Sequence, residues 1–386
     1  MRVSVLHENL ARALSIVSRA VDSRPTLPVL ANVLLETDGD TRLKLSATNL
    51  ELSITTYIGA RVEKLGAITL PAKTFAELVN TLSPERVDLT LDAATHTVNL
   101  RCGTTSTNIK GIAATEFPQL PEADSINRIA LPGALLKSMI TETTFAAAKE
   151  DNRPILTGIL TQFSGSTLML AAADGYRLAV RTATLEDVSF ENQIEMVIPA
   201  RSLAEVARVI TDDDSEIAVT LPDERNVMLF STEHTTISTQ LLEGRFPDFN
   251  GIIPKSYSTA ATVYATDLLR ACKRAEIFAR DSANSARITV TPPNGKGGPG
   301  EMRVVGKSAE RGDSEGMIDA SVEGDALEAS FNIRYLIDAL NVIRDERVTL
   351  ESNGPSHPGV IRPEGRDDFV YTVMPMSITG KARGAN

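Results

Sequence analysis

The segment AKTFAELVNTLS (72–83) places Phe75, Leu78, Val79 and Leu82 at positions i, i+3, i+4 and i+7, the spacing of an amphipathic helix. Leu70-Pro71 introduces it, and proline suits the first turn of a helix. The same figure returns 128 residues later at Ile198-Pro199-Ala200-Arg201, followed by Leu203, Val206, Ala207 and Ile210. It opens a third time, 133 residues further on, at Phe331-Asn332-Ile333-Arg334, with Leu336, Ala339, Leu340 and Ile343. Between such helices lie β-rich runs with partial alternation and Asp-Gly turns, for example 33–58. Hairpins are predicted at 87–102 and 217–231, and Asp174-Gly175 has the form of a tight turn between two apolar strands. PPNGKGGP (292–299) reads as a surface hairpin tip, because no helix start follows it to cradle a phosphate.

Other landmarks keep the same period. HENLARAL (7–14), PGALLKSM (132–139) and ATDLLRAC (265–272) align at offsets of 125 and 133. Phe117-Pro118, Phe246-Pro247 and Met374-Pro375 close three units at offsets of 129 and 128, and Thr48-Asn49-Leu50 corresponds to Ala173-Asp174-Gly175. Independent landmarks at one spacing mark tandem copies of a single unit. The expected division is 1–127, 128–254 and 255–380, with 381–386 as a flexible tail. Each copy reads strand, helix, strands, helix, strands. The fold class is α+β, with two helices packed on antiparallel sheet in each copy.

Composition narrows the chemistry. The 386 residues carry 39 Lys and Arg against 50 Asp and Glu, a net charge of −11, with 42% hydrophobic residues. That balance builds a core and excludes a disordered polyanion or a generally basic nucleic-acid coat. Cys102 and Cys272 stand far apart, so they form neither a disulfide framework nor a zinc site. No apolar run reaches the ~20 residues of a membrane span and the N-terminus lacks a signal-peptide core, so a cytoplasmic protein is expected. His7, His96, His234 and His357 have no ligand neighbours at metal spacing, and no nucleotide or hydrolase motif occurs. No metal and no cofactor is expected. Asp212-Asp213-Asp214 reads as a solvated turn.

The repeats also align the polar faces of the helices. Lys73, Glu77 and Asn80 correspond to Arg201, Glu205 and Arg208, then to Arg334, Asp338 and Asn341; in the first helix of each copy, Arg12, Lys137 and Arg270 share one position. Two positions are therefore basic in every copy of an acidic chain. One reading is a wet helix face partly neutralised by acids one turn away. The other is a basic lining toward a polyanion, with the acidic excess elsewhere. Scarce aromatics, 4% with no Trp, disfavour single-strand wrapping, so weak phosphate attraction would need enclosure to keep the protein on DNA. A repeat-built enzyme using Asp174 or the 212–214 acids, and a β-rich interaction scaffold, are the rival classes.

Four motifs in order carry a resemblance over essentially the full length. Arg24-Pro25-Thr26-Leu27-Pro28-Val29-Leu30 resembles RPTLPIL, and Asp174-Gly175-Tyr176-Arg177-Leu178-Ala179 resembles DGYRLA. Gly244-Arg245-Phe246-Pro247-Asp248-Phe249 is similar to GRFPDY, and Tyr371-Thr372-Val373-Met374-Pro375-Met376 to YVVMPM. The chain thus resembles the bacterial β sliding clamp family, the processivity subunits of DNA polymerase III. The resemblance implies a non-enzymatic head-to-tail homodimer, a ring around duplex DNA loaded by a clamp loader. It implies docking of the DNA polymerase III α subunit, other polymerases and repair proteins through short linear motifs. Ile109, Ile277 and Phe278 match the junction between protomers, while Thr107 stands where some members carry an aromatic. Positions matching the partner cleft are Leu156, Ala173, Gly175, Tyr176, Arg177, Leu178, Pro247, Ile252, Asn332, Tyr335, Val373, Met374, Pro375 and Met376. There, Arg177, Asn332 and Tyr335 are expected to orient a peptide backbone. For DNA, Arg24, Lys73, Glu150 and Arg153 match contact positions or their loop; Glu150 replaces a neutral residue and Pro154-Ile155 replace aromatics. The chain also runs past the usual end as Ser377–Asn386, which is Gly-rich and basic.

Overall fold

The computed structural model describes residues 1–22, 25–121, 128–150, 152–186, 188–211, 216–222, 226–293 and 299–376. Arg24, Asp212–Asp214, most of the 292–299 loop and the segment from Ser377 lie outside the described residues. The described residues hold six α-helices: α1 (His7–Val17), α2 (Ala72–Asn80), α3 (Gly133–Thr144), α4 (Ala200–Val209), α5 (Ala265–Ala279) and α6 (Ile333–Val342). They fall in three pairs at the repeated positions. In α1 the buried face is Leu10, Ala13, Leu14 and Val17, again at i, i+3, i+4 and i+7. Helix α2 stops at Asn80 instead of running to Ser83. Thr81 closes the last turn on the Leu78 carbonyl, and Pro84 bars the helical conformation from the residue before it. No described helix is long and apolar enough to cross a membrane.

Every strand pairing among the described residues is antiparallel, as between Val3 and Val62 or Ile288 and Val304. Two twelve-stranded sheets result, one in each of two compact units. The first unit comprises Met1–Lys137 and Ser202–Leu241; the second comprises Ser138–Arg201 and Leu242–Asn386. Compactness follows the sheets and not the repeats, because each sheet crosses a repeat boundary. In the first unit Leu52–Lys64 pairs with Thr235–Gln240, with Ile54 opposite Ile237. In the second, Arg177–Thr184 pairs with Phe369–Val373, with Val180 opposite Val370.

Helices cover one face of each sheet. In the first unit α1 packs on the strands Arg2–Leu6 and Leu52–Lys64 through its apolar stripe. In the second, α5 lies on Gly300–Ser308 and Gly312–Gly324, burying Leu268, Ala271, Cys272, Ala275 and Ala279. Small residues on the helix and Gly306 on the strand let the two backbones approach closely.

Candidate peptide cleft and basic helix faces

The second unit carries a cleft of about 550 Å³ beside the turn that joins Thr167–Ala173 to Arg177–Thr184. Gly175 sits at φ +93°, a conformation that favours glycine. Asp174 builds the turn. Its Oδ1 accepts from the Tyr176 and Arg177 amides at 2.9 and 3.0 Å, and its Oδ2 accepts from Arg177 Nε at 2.9 Å. Both oxygens are spent on structure, which removes the reason to read Asp174 as a catalytic acid.

Arg177 is correspondingly not free to hold a peptide backbone, contrary to expectation. Its side chain is 4% exposed, and Nη1 donates to Asp338 Oδ2 at 2.7 Å. The guanidinium lies 4.3 Å above the Tyr335 ring and 5.7 Å from that of Phe145. Burial alone disfavours its charge, but Tyr371, Asp338 and Asp174 outweigh burial and hold the proton more tightly than in a free arginine. The Tyr335 phenol is shifted up by burial and then by Asp174. The Tyr371 phenol is shifted up by burial, and its hydroxyl donates to the Tyr335 carbonyl at 3.0 Å. Arg177 therefore ties the turn to α6 and gives the cleft a rigid back.

Seven of the expected residues line the cavity: Ala173, Gly175, Tyr176, Arg177, Leu178, Ile252 and Met374. Tyr176, Ile252 and Met374 are exposed, an apolar cluster open to solvent. The Met374 amide donates to the Tyr176 carbonyl at 2.8 Å and pins one wall to the turn. The other seven do not line it. Leu156 is buried with Leu178 in the apolar cluster of this unit. Val373 is fully buried, one residue out of phase with Thr372 and Met374 along its strand. Asn332 caps α6, its Oδ1 accepting from the Arg334 amide at 3.1 Å. Tyr335 stacks on Arg177. Met376 is held by its amide to the Ser330 carbonyl at 2.8 Å; Pro375 precedes it, and Pro247 is exposed outside the lining.

Sequence reasoning missed Gly251, Pro254, Asn353, His357, Pro358 and Thr372, which complete the lining. Thr372 was legible by strand alternation from Met374. The loop bearing Asn353 and His357 had no such signal.

Arg12, Lys73, Arg201, Arg270 and Arg334 are exposed on their helices. Arg270 pairs with Asp267 at 3.5 Å and Arg334 with Glu276 at 3.1 Å. Three expectations for these faces are corrected. Lys137 is half-buried, and its Nζ donates to the Ile210 carbonyl at 3.0 Å, capping the end of α4. Glu205 is buried, with Arg19 at 3.4 Å and Arg208 beside it, and does not face solvent. Asp338 serves Arg177. In the loop after α3, Glu150 and Arg153 are exposed, and a β-carbon on Gly175 would lie 3.6 Å from Arg153 Nη1, at the cleft edge. Ile277 is 51% exposed and Phe278 half-buried, whereas Ile109 is buried opposite Val98.

Three family models match the chain in sequence: the N-terminal, central and C-terminal domains of the DNA polymerase III β subunit, over residues 1–121, 130–248 and 250–377. The β sliding clamp of Synechococcus elongatus is 32% identical over 379 residues, covering 98% of this chain and all of the relative. That of Bacillus subtilis is 28% identical, covering 97% and 99%. The crystal structure of the Bacillus subtilis clamp superposes with a TM-score of 0.90 at 27% identity, covering 98% of this chain and 99% of that one. The Pseudomonas aeruginosa clamp bound to griselimycin gives 0.88 at 26% identity, covering 98% of this chain and 100% of that one. The same three-part order, over the whole length of relatives and chain alike, places this protein in the β sliding clamp family, the β subunits of DNA polymerase III.

Proposed function

We propose that two copies of this chain close head to tail into a ring around duplex DNA and tether partner proteins to it. As a sliding clamp the chain is a non-catalytic processivity subunit of DNA polymerase III. Enclosure of DNA carries the rest of the reading, and one observation supports it. In a chain of net charge −11, Arg12, Lys73, Arg201, Arg270 and Arg334 recur at two helix positions across the copies and stand exposed. Such side chains attract phosphates without reading sequence, and the attraction fades with salt, so the protein slides and does not grip. Topology supplies the retention that contacts do not. In this reading the copies span 1–127, 128–254 and 255–380, in line with the family-model matches. Ile277 and Phe278 face the neighbouring protomer at two identical junctions. An ATP-driven clamp loader opens a junction, and the ring works in the cytoplasm on the replicating DNA.

The cleft beside Asp174-Gly175 takes a short linear segment of a partner: the DNA polymerase III α subunit, other polymerases, repair proteins and the loader. Tyr176, Ile252 and Met374 offer an adaptable apolar surface for it. The decisive experiment loads the protein on nicked circular DNA and washes at high salt. Retention on the circle and loss after linearisation are expected. Equal retention on both forms would rule out enclosure.

A further inference from the structure

Glu205 of α4 and Asp338 of α6 hold corresponding places in the second and third copies. Each is paired with an arginine supplied by the copy before it. Arg19, in the short helical turn Ser18–Ala20 that follows α1, reaches Glu205 at 3.4 Å. Arg177 of the second copy reaches Asp338 at 2.7 Å. Each pair lies inside one compact unit and ties a copy to its successor along the chain.

Two groups are left over from this series. The first copy has no predecessor in the chain. Its acid at the same helix position, Glu77 of α2, is exposed and has no partner among the described residues, Lys73 one turn away included. The third copy has no successor. There the turn Arg280–Ser282 follows α5 as Ser18–Ala20 follows α1, and it presents Arg280 as the earlier turn presents Arg19. The Arg280 side chain is 53% exposed, and the nearest carboxylate, Glu276, stands 3.8 Å away and is already held by Arg334 at 3.1 Å. A pairing met twice within the chain thus leaves an acid without a cation in the first copy and a weakly held cation in the third.

We infer that Glu77 receives the partner's Arg280, a second copy of this chain supplying the predecessor that the first copy lacks. The inference rests on the head-to-tail ring proposed above and names a charged contact by which one protomer selects another. In such a ring the first copy of each chain follows the third copy of the other, so both junctions hold the same pair. Ile277 and Phe278, in the last turn of α5, lie just before Arg280 and supply the apolar part of the contact. Arginine suits the place, because its planar guanidinium matches a carboxylate and keeps its charge at every physiological pH. A pair at the edge of an interface acts mainly on partner choice: matched charges attract, and like charges brought face to face are penalised strongly.

The test is charge reversal on the full chain: Glu77→Arg, Arg280→Glu, and an equimolar mixture of the two variants. Sedimentation gives the dimer's dissociation constant, and native mass spectrometry gives the composition of the mixture. In either variant alone like charges meet at both junctions, so the constant is expected to rise about a hundredfold, about tenfold per junction. In a mixed dimer one junction keeps the natural pair and the other holds the same pair exchanged. The mixture is therefore expected to dimerise with near-natural affinity, and as the heterodimer. Glu77→Gln and Arg280→Gln remove charge without reversing it, so each weakens the dimer less and mixing them restores nothing. Reversed variants that dimerise as tightly as the unaltered chain overturn the inference, and so does a mixture as weak as its components. If the unaltered chain is itself monomeric, the ring reading falls and takes this inference with it; if it is dimeric and the variants do not rescue each other, only the Glu77 contact falls.

Discussion

Glu142 is 4% exposed, yet it carries a carboxylate between two arginines: Arg181 Nε at 2.6 Å and Arg366 Nη1 at 3.2 Å. Arg366 also reaches Asp345 at 2.7 Å and Asp368 at 2.9 Å, so α3, the strand Arg177–Thr184 and the residues after α6 share one network. Burial opposes the Arg366 charge, but Glu142, Asp345 and Asp368 more than offset it and shift its proton affinity upward. Removing Glu142 takes from the buried Arg181 its Nε partner and from Arg366 one of its three carboxylates. Glu142→Ala is therefore expected to lower the stability of the second unit by about 3 kcal/mol, measured by urea unfolding. A buried thiol gives a second residue-scale prediction. Burial pushes the Cys272 thiol up to about 12. The folded chain keeps this proton while the unfolded chain releases it above its ordinary value near 9. Stability contributed by this thiol is intact below pH 9 and declines by about 1.4 kcal/mol per pH unit between 9 and 12. Cys272→Ala should remove that slope, read as the difference between the two proteins' unfolding midpoints at pH 7 and pH 10.

At the scale of elements, the contact of α5 with its sheet is set by missing side chains. A β-carbon on Gly306 would stand 2.2 Å from the Ala275 carbonyl oxygen, and one on Gly316 would meet Ala271 at 3.2 Å. The first is a clash with helix backbone that no rotamer relieves. Gly306→Ala is expected to cost about 2–3 kcal/mol by forcing the helix off the strand, whereas Gly316→Ala costs less. Thermal unfolding of the two variants side by side checks the order. The helices themselves were legible because their apolar periods are strong. Their polar faces were legible only in part. Glu205 and Asp338 sit at the surface spacing of α4 and α6, but arginines distant in sequence, Arg19 and Arg177, draw them into pairs. Periodicity along one helix contains no information about a cation supplied by another element.

For the whole molecule, Ile277 is an exposed apolar side chain that the proposed ring would cover. On α5 its neighbours Ala275 and Ala279 are buried against the sheet, while Ile277 is 51% exposed. In the proposed ring it is covered by the next protomer. Ile277→Arg should convert the dimer to a folded monomer in sedimentation, with circular dichroism unchanged, because the change lies outside each protomer's own core. A variant that remains dimeric would remove Ile277 from the junction. Ile109, expected at the same junction, is already buried within its own sheet and serves that core.

Local chemistry made several features readable from the chain alone: the helices, the Asp174-Gly175 turn, the threefold recurrence of elements, and the family. Each depends on neighbours within a few residues or on a period that repeats along the sequence. The tertiary structure decided three others. The sheets run through repeat boundaries and gather the chain into two compact units, because strand pairing joins Leu52–Lys64 to Thr235–Gln240 and Arg177–Thr184 to Phe369–Val373. Arg177 became a brace for the cleft because Asp338, Tyr335 and Phe145 converge on it from separate elements. Thr372 became a lone hydroxyl in an aliphatic row because the register set it between Leu178 and Val360. Pairing register and long-range charge are properties of the folded sheet, and no window of sequence contains both partners.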